Sequence, residues 1–267
     1  MSRLLGRTNL EFPRLWLSLM PPHQISEGWL PQFVQHAVAQ KTVLDISSRP
    51  GLWGGAMRGT DALLMARGGL SLENATDSDH ASDLLQAELL QILCSVGREH
   101  LDFFFLDYRK AWEEHQIVGA LQTLEFAKQH GTIRHIGLYF GGSFLAAMAM
   151  WQFNDAFEVV LAPLNPIYQQ DFQALARLAH DRRVGVVQTH LLNWGAGKPF
   201  FDADDDPDGF ARGTVNAALE LGTALVGVRS IHEINNLAHP GGQNATDAQI
   251  QRYQQWLDEK AYAPQIS

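Results

Sequence analysis

Charged side chains end several short apolar runs in this sequence, and they are the residues with which chemistry could be done. Asp45 and Asp107 each end such a run, and Arg67 follows a third. An Asp–Arg–Asp arrangement can hold one carboxylate as a base, while the guanidinium binds a substrate carboxylate, a phosphate or a developing enolate. His190 directly follows a fourth run and could serve as a general acid or base near neutral pH. We predict Asp45, Arg67, Asp107 and His190 as catalytic residues.

The same four residues also have a purely structural interpretation. Two carboxylates and an arginine can form an ion-pair network that only braces the fold. A lone histidine at the end of a strand is often a structural hydrogen-bonding residue. The sequence alone leaves both interpretations open.

Other polar residues that follow the apolar runs are candidates for contacts with a ligand. For substrate binding these are Arg49, Tyr108, Tyr139, Gln188, Asn193 and Trp194. Gly227, Arg229 and Ser230 precede a predicted helix at residues 231–237, where backbone N–H groups and a guanidinium could bind a phosphate. The alternative for that segment is an ordinary serine N-cap. The remaining histidines lack the spacing of a metal site, so we expect no metal.

Strand and helix patterns alternate along the chain. Apolar runs rich in β-branched and aromatic residues predict eight strands, at residues 14–19, 42–46, 62–66, 102–106, 133–138, 158–162, 184–188 and 223–226. Helical spacing occurs at residues 29–39, 82–96, 117–130, 144–153, 172–180, 207–221 and 246–260. Eight such units in 267 residues favour a single α/β domain, residues 1–267, closed into a (β/α)8 TIM barrel rather than an open sheet.

One crossover between predicted strands is short. Residues 47–61 separate the second and third strands and contain Gly51, Gly54, Gly55 and Gly59. Because glycine disfavours helix, we predict a loop there.

The composition excludes several classes of partner. The formal charge is −9 and the 20 Lys and Arg residues are scattered, which argues against nucleic acid and against a polybasic membrane patch. No segment has the apolar length of a membrane span or a signal peptide. Cys94 is the only cysteine, lies in an apolar stretch, and is expected to pack in the core. We therefore expect a cytoplasmic protein that acts on a small molecule, with its oligomeric state left open.

Several motifs resemble a known family. LGRTNL at residues 5–10, LDFFFLDY at 101–108, GTIRHIG at 131–137 and VGVRSIHEINN at 226–236 are similar, in this order, to motifs of the aldo-keto reductases. The resemblance implies a (β/α)8 barrel and hydride transfer from NADP(H) by an Asp–Tyr–Lys–His tetrad. Gly227, Arg229 and Ser230 then correspond to the family's site for the adenosine phosphate.

The resemblance breaks at the residues that would do this chemistry. Asp45 keeps the aspartate, but Pro50 stands at the position of the tyrosine, Arg67 at the lysine and Asp107 at the histidine. The Ser–Asn pair that holds the nicotinamide carboxamide in the family is also missing from GLYFGG at residues 137–142.

Three functional hypotheses follow. The first is an aldo-keto-reductase-like enzyme that has lost hydride transfer and does cofactor-independent acid–base chemistry, as a lyase, dehydratase, isomerase or cyclase. The second is an NADPH-dependent oxidoreductase in which Tyr139 or Tyr108 replaces the proton donor. The third is a catalytically silent binding or regulatory protein, for which Trp53, Trp112 and Trp194 are candidate exposed aromatic residues.

Overall fold

The chain forms a closed barrel of eight parallel strands. A computed structural model of the protein describes residues 2–19, 27–163, 169–191, 207–228, 230–238 and 251. The barrel strands are β3 (Leu15–Leu19), β4 (Val43–Asp45), β5 (Leu63–Gly68), β6 (Leu101–Asp107), β7 (Ile133–Tyr139), β8 (Val159–Pro163), β9 (Gly185–Thr189) and β10 (Thr223–Val228). Each strand pairs with the next, and β10 pairs with β3 to close the ring. The predicted TIM barrel is confirmed.

Helices connect the strands on the outside of the barrel. They are α1 (Leu30–Ala39), α2 (Pro50–Met57), α3 (Ser78–Val96), α4 (Glu114–Gln129), α5 (Phe144–Phe153), α6 (Gln169–Arg182), α7 (Pro207–Leu221) and α8 (Ile231–Ala238). Their apolar faces pack on outward-facing strand residues such as Leu44, Leu64 and Phe104. The predicted helix at residues 246–260 lies outside the described residues, apart from residue 251.

The crossover between β4 and β5 contains a helix, so the predicted loop is wrong. Pro50 occupies the first turn of α2, where its missing N–H costs nothing. Trp53 and Met57, one turn apart, are fully buried against the core. Gly54 allows a close approach to α3, since a Cβ there would lie 2.7 Å from the Ser95 carbonyl oxygen. Burial of two large side chains outweighs the low helix propensity of the glycines.

A short hairpin precedes the barrel. It pairs β1 (Ser2–Leu4) with β2 (Glu11–Pro13) and places Leu5 and Phe12 in the apolar cluster inside the barrel. Gly6 has a positive φ of 53°, and a Cβ on it would lie 2.0 Å from the Gly185 nitrogen. The hairpin therefore covers the N-terminal end of the barrel at van der Waals distance.

Large aromatic side chains fill the barrel interior. Phe103 contacts both Phe12 and Trp16, at ring-centroid distances of 4.8 and 4.7 Å. Phe105 stacks on Phe103 one layer nearer the C-terminal end. These rings separate the two ends of the barrel, so charged groups at one end do not contact those at the other.

The structure shows the exposure of three side chains that the sequence analysis singled out, Cys94, Trp53 and Trp112. Cys94 is exposed, so its expected core position is wrong: it lies on the solvent side of α3, while its neighbours Ile92 and Leu93 face inward. Trp53 is buried and Trp112 is partly buried.

Within the described residues, no helix is long and apolar enough to cross a membrane, and no cluster of His, Cys, Asp and Glu has the arrangement of a metal site.

Candidate functional site at the barrel mouth

Four of the inward-facing positions at the C-terminal end of the barrel carry ionisable groups. Side chains alternate in and out along each strand, so Asp45, Arg67 and Asp107 face inward because Val43, Met65 and Phe105, two residues earlier, belong to the interior cluster. Tyr139 belongs to that cluster itself and pairs in register with Asp107. We call the group around these four residues the mouth cluster. Its members are Ser18, Asp45, Ser47, Arg67, Asp107, Arg109, Tyr139 and His190.

Asp45 is buried and forms an ion pair with Arg67. One carboxylate oxygen accepts from the Ser47 N–H at 2.9 Å and from the Ser47 hydroxyl. The other accepts from the Ser18 hydroxyl at 3.2 Å and from Arg67 Nη2 at 3.3 Å. Ser47 Oγ in turn accepts from the backbone N–H and Nε of Arg67, at 2.9 and 3.2 Å. Asp45 and Ser47 thus fix the guanidinium from two sides.

Asp107 pairs with Arg109 and not with Arg67. Arg109 Nε lies 3.1 and 3.0 Å from the two carboxylate oxygens, and Nη2 lies 3.0 Å from Oδ2. The hydrogen bond to Asp107 raises the pKa of Arg109, although its partial burial has the opposite effect. Gly141 makes this packing feasible, because a Cβ there would lie 2.2 Å from Asp107 Oδ1. The expected Asp–Arg–Asp arrangement is therefore replaced by two separate ion pairs that share one mouth.

Tyr139 lies beside Arg67. The Arg67 Cζ atom is 4.8 Å from the centre of the Tyr139 ring, a cation–π distance. Burial raises the pKa of Tyr139, and the guanidinium of Arg67 only partly offsets this effect. Burial lowers the pKa of Arg67, but the charges of Asp45, Tyr139 and Asp107 outweigh burial and leave it raised. Arg67 is therefore a permanent cation and Tyr139 a neutral phenol at ordinary pH.

His190 completes the mouth cluster from the position directly after β9. Its ring stacks on Tyr139 with a centroid distance of 6.3 Å and an interplanar angle of 25°. Burial of the ring, and then the charge of Arg67, lower the pKa of His190 below 6.5, although the residue as a whole is exposed to solvent. Its backbone φ is +58°, which is strained for a residue with a Cβ. Strained backbone of this kind concentrates at functional sites.

Not every predicted site residue joins the mouth cluster. Tyr108 points outward and contacts Trp112, because it follows the inward-facing Asp107 by one residue. Gln188 also points outward, where its amide donates to the Ala218 carbonyl at 2.9 Å. Arg49 is exposed just after β4, with a φ of +60°.

The predicted phosphate site is described only in part. The Ser230 hydroxyl accepts from the Glu233 N–H at 3.2 Å, as a helix N-cap does. Gly227 pairs in register with Ser18 near the mouth. Arg229 lies outside the described residues, as do Asn193 and Trp194.

Three members of the mouth cluster are not among the predicted site residues: Ser18, Ser47 and Arg109. Ser18 stands one residue before the end of its strand, so a search for polar residues after the apolar runs passes over it. Arg109 does follow such a run, but the pairing of Asp107 with a residue only two positions away has no signature in the pattern.

The barrel closed by β10 and β3, capped at its N-terminal end by a hairpin, has the fold of the aldo-keto reductases. Among solved structures, the holo form of an aldo-keto reductase from Bacillus halodurans matches with a TM-score of 0.69 and 15% identity, covering 96% of this chain and 95% of that one. An aldo-keto reductase from Brucella melitensis matches with a TM-score of 0.65 and 13% identity, covering 96% and 97%. One from a Medee basin deep-sea metagenome library matches with a TM-score of 0.66 and 11% identity, covering 96% and 94%. No protein-family profile and no curated protein matches the sequence.

Proposed function

We propose that this protein is an enzyme that transfers protons on a small molecule without hydride transfer, as a lyase, dehydratase, isomerase or cyclase does. The observation that carries the proposal is the fixed guanidinium of Arg67 beside the neutral imidazole of His190 and the phenol of Tyr139. A cation next to a neutral base is the arrangement needed to form and stabilise an enolate.

Asp45 acts in this scheme as a positioning residue and not as the base. Its two oxygens already accept four hydrogen bonds, which occupy the usual acceptor directions of a carboxylate. Arg67 Nε and Nη2 bind Ser47 and Asp45, and the guanidinium also forms a side-chain hydrogen bond with Tyr139. We assign Arg67 Nη1, which makes no ion pair with Asp45, as the donor to the oxygen on which negative charge develops.

His190 is the proposed proton acceptor. In the neutral form favoured by its lowered pKa, the imidazole takes a proton from the carbon next to a substrate carbonyl. The electron pair of the broken C–H bond moves onto the carbonyl oxygen beside Arg67. Return of the proton to another carbon gives isomerisation, and departure of a leaving group gives elimination. Tyr139 donates a hydrogen bond to the same oxygen, since its raised pKa keeps the phenol protonated.

The residues at the mouth do not fit the nicotinamide of the cofactor that the fold family implies. The Tyr139 ring contacts both Arg67 and His190, so it occupies space within the mouth cluster. Phe140, which stands at the position of the family's carboxamide-binding asparagine, is buried and packs outward against Phe144 and Trp151. Pro50 begins α2 and has no proton to donate. The proposed steps therefore do not involve NADP(H).

Deuterium exchange tests the proposal without knowledge of the natural substrate. The protein is incubated in D2O with a panel of small ketones, 2-oxo acids and 2-hydroxy acids, and loss of C–H signals is followed by proton NMR. We expect catalysed exchange for at least one compound and a loss of 100-fold or more in His190→Ala, in line with general-base catalysis of about 10²–10⁴. His180→Ala, which changes an exposed histidine on α6, is the matched control.

NADPH titration in the same experiment separates the alternatives. One similar structure was solved as a holo form, and of the two substitute donors only Tyr139 lies in the mouth cluster. Saturable binding of NADPH together with its oxidation by a carbonyl compound would replace our proposal with a reductase that uses Tyr139.

A catalytically silent binding protein is the second candidate. It is favoured by α5, where Leu145 and Phe153 are 80% and 87% exposed on a helix without a charged residue. Absence of exchange across the whole panel, with no NADPH oxidation, would support it against both enzymes.

A further inference from the structure

The two ion pairs of the mouth cluster are layered in the same way. The side chains of Asp45 and Asp107 are only 2% and 3% exposed, whereas those of Arg67 and Arg109 are 19% and 53% exposed. The carboxylates therefore lie beneath the guanidinium groups. A ligand that enters the mouth meets N–H donors before it meets either acid.

Both guanidinium groups keep donors outside these ion pairs. Arg67 uses Nε and Nη2 toward Ser47 and Asp45, and Arg109 uses Nε and Nη2 toward Asp107. The Nη1 group of each arginine takes part in none of these bonds, and the Arg67 guanidinium also forms a side-chain hydrogen bond with Tyr139. A guanidinium has five N–H donors in a planar fork that matches the two oxygens of a carboxylate.

The two arginines flank one aromatic ring. The Arg67 guanidinium lies over the Tyr139 ring, and a Cβ placed on Gly141 would lie 2.8 Å from Arg109 Cγ and 3.1 Å from Tyr139 Cε1. The aliphatic part of Arg109 thus packs close to the edge of the ring that Arg67 covers. The N–H donors of Arg67, on β5, and of Arg109, two residues after the end of β6, therefore lie near the Tyr139 phenol.

The charges of the mouth cluster balance. The two aspartates cancel Arg67 and Arg109. A ligand carboxylate fits a guanidinium fork and adds a single negative charge to this balanced cluster, whereas a doubly charged phosphate adds two.

We infer that the substrate carries a carboxylate, which binds to the N–H groups of Arg109 and Arg67 that lie outside the two ion pairs and places the neighbouring carbonyl carbon toward His190. This inference rests on the proposed function and narrows it to small carboxylic acids such as 2-oxo acids. Arg109 is then a specificity-determining residue at the rim of the mouth.

The test compares matched charged and neutral probes. Binding of pyruvate, 2-oxobutyrate, pyruvamide and inorganic phosphate is measured by saturation-transfer NMR and titration calorimetry. We expect the 2-oxo acids to bind at least tenfold more tightly than pyruvamide, since a charge-assisted hydrogen bond exceeds a neutral one. Arg109→Gln should weaken binding of the 2-oxo acids by tenfold or more and leave binding of pyruvamide unchanged.

The chain supplies a closely matched control at the opposite end of the same strands. Arg134 pairs with Asp102 at 2.8 Å, with side-chain exposures of 54% and 6%. Arg134→Gln therefore removes the arginine partner of a buried aspartate, as Arg109→Gln does, but far from the mouth, and Asp102 keeps the hydrogen bond from the Leu64 N–H at 2.8 Å. Equal weakening of 2-oxo acid binding in both variants would mean that Arg109 acts only through stability, and it would overturn the inference.

Other outcomes separate the inference from the proposed function. Exchange on neutral ketones with no preference for acids would overturn the carboxylate and keep the proton transfer. Binding of 2-oxo acids that depends on Arg109, without exchange on any compound, would keep the carboxylate site and remove the proton transfer. Tighter binding of phosphate than of any carboxylate would assign the site to a phosphate group and overturn the inference.

Discussion

Replacement of Glu158 with glutamine should remove a large part of the acid-sensitive stability of the barrel. Glu158 is buried near the N-terminal end and accepts hydrogen bonds from Lys128 Nζ at 2.7 Å, from the Ile136 N–H at 3.1 Å and from His135 Nδ1 at 3.1 Å. Burial alone would raise the pKa of this carboxyl, but the bonds to His135 and Lys128 outweigh burial and hold it at about 2, against 4.5 for a free glutamate.

The pKa of Glu158 fixes the size and the sign of the effect. A fall in pKa from 4.5 to about 2, at about 1.4 kcal/mol per pH unit, corresponds to about 3 kcal/mol of folding free energy. Because the folded pKa is the lower one, this stability is complete above pH 4.5 and is lost as the pH falls toward 2. Glutamine is shaped like the neutral acid and should lack the contribution at every pH.

Urea unfolding followed by tryptophan fluorescence, at pH values from 7 down to 2.5, measures the difference between the two proteins. We expect Glu158→Gln to be less stable by about 3 kcal/mol at pH 7, with the difference shrinking steadily below pH 4.5. Glu125→Gln, an exposed glutamate on α4, is the control and should change stability by less than about 0.5 kcal/mol. A difference between wild type and Glu158→Gln that stays constant across this pH range would refute the reasoning.

Three further predictions concern the mouth. Gly141→Ala would place a Cβ 2.2 Å from Asp107 Oδ1 and should lower the free energy of unfolding in urea by about 1–3 kcal/mol. Gly55→Ala, whose Cβ meets nothing within 4 Å, is the control and should stabilise the protein slightly. Equal effects of the two substitutions would contradict the close packing of Gly141 against Asp107. His190→Gly should be more stable than His190→Ala by about 1 kcal/mol in thermal unfolding, because glycine tolerates the positive φ at this position. A more stable His190→Ala would show that the backbone at residue 190 is not strained. The NMR titration midpoint of His190 should lie below pH 6.5. It should move upward in Arg67→Gln, because removal of the positive charge makes protonation of the imidazole easier. An unchanged midpoint would mean that Arg67 and His190 do not interact.

The barrel could be predicted from the sequence because its strands and helices have clear periodicities. The bounds of α5 and α7 agree with the prediction to the residue, since each begins and ends where the apolar spacing does. The hairpin β1–β2 was not predicted, because strands of three residues show no alternation. The helix α2 depends on burial of Trp53 and Met57 by other parts of the chain, which no local pattern contains.

Five of the eight residues of the mouth cluster could be predicted from the sequence, but not the partner with which each one pairs. Asp45, Arg67 and Asp107 come together because parallel strands end at the same edge of the barrel. Strict alternation along β6 and β9 would have removed Tyr108 and Gln188 from the list, because each directly neighbours an inward-facing residue. The same rule would also have removed His190, which lies after the end of β9, has a positive φ and stacks on Tyr139. The choice of Arg109 over Arg67 as the partner of Asp107 depends on the course of the chain after β6, which the sequence pattern does not specify.

The rings that fill the barrel interior also bear on how the sequence could have diverged. Phe103 and Phe105 lie between the mouth cluster and the hydrogen-bonded Glu158 at the other end. Substitutions at the mouth therefore leave the bonds around Glu158 intact, and mutations at the two ends should act independently. A chain built in this way can lose one activity and acquire another by exchanging a few side chains at one end, while the determinants of folding at the other stay under separate selection.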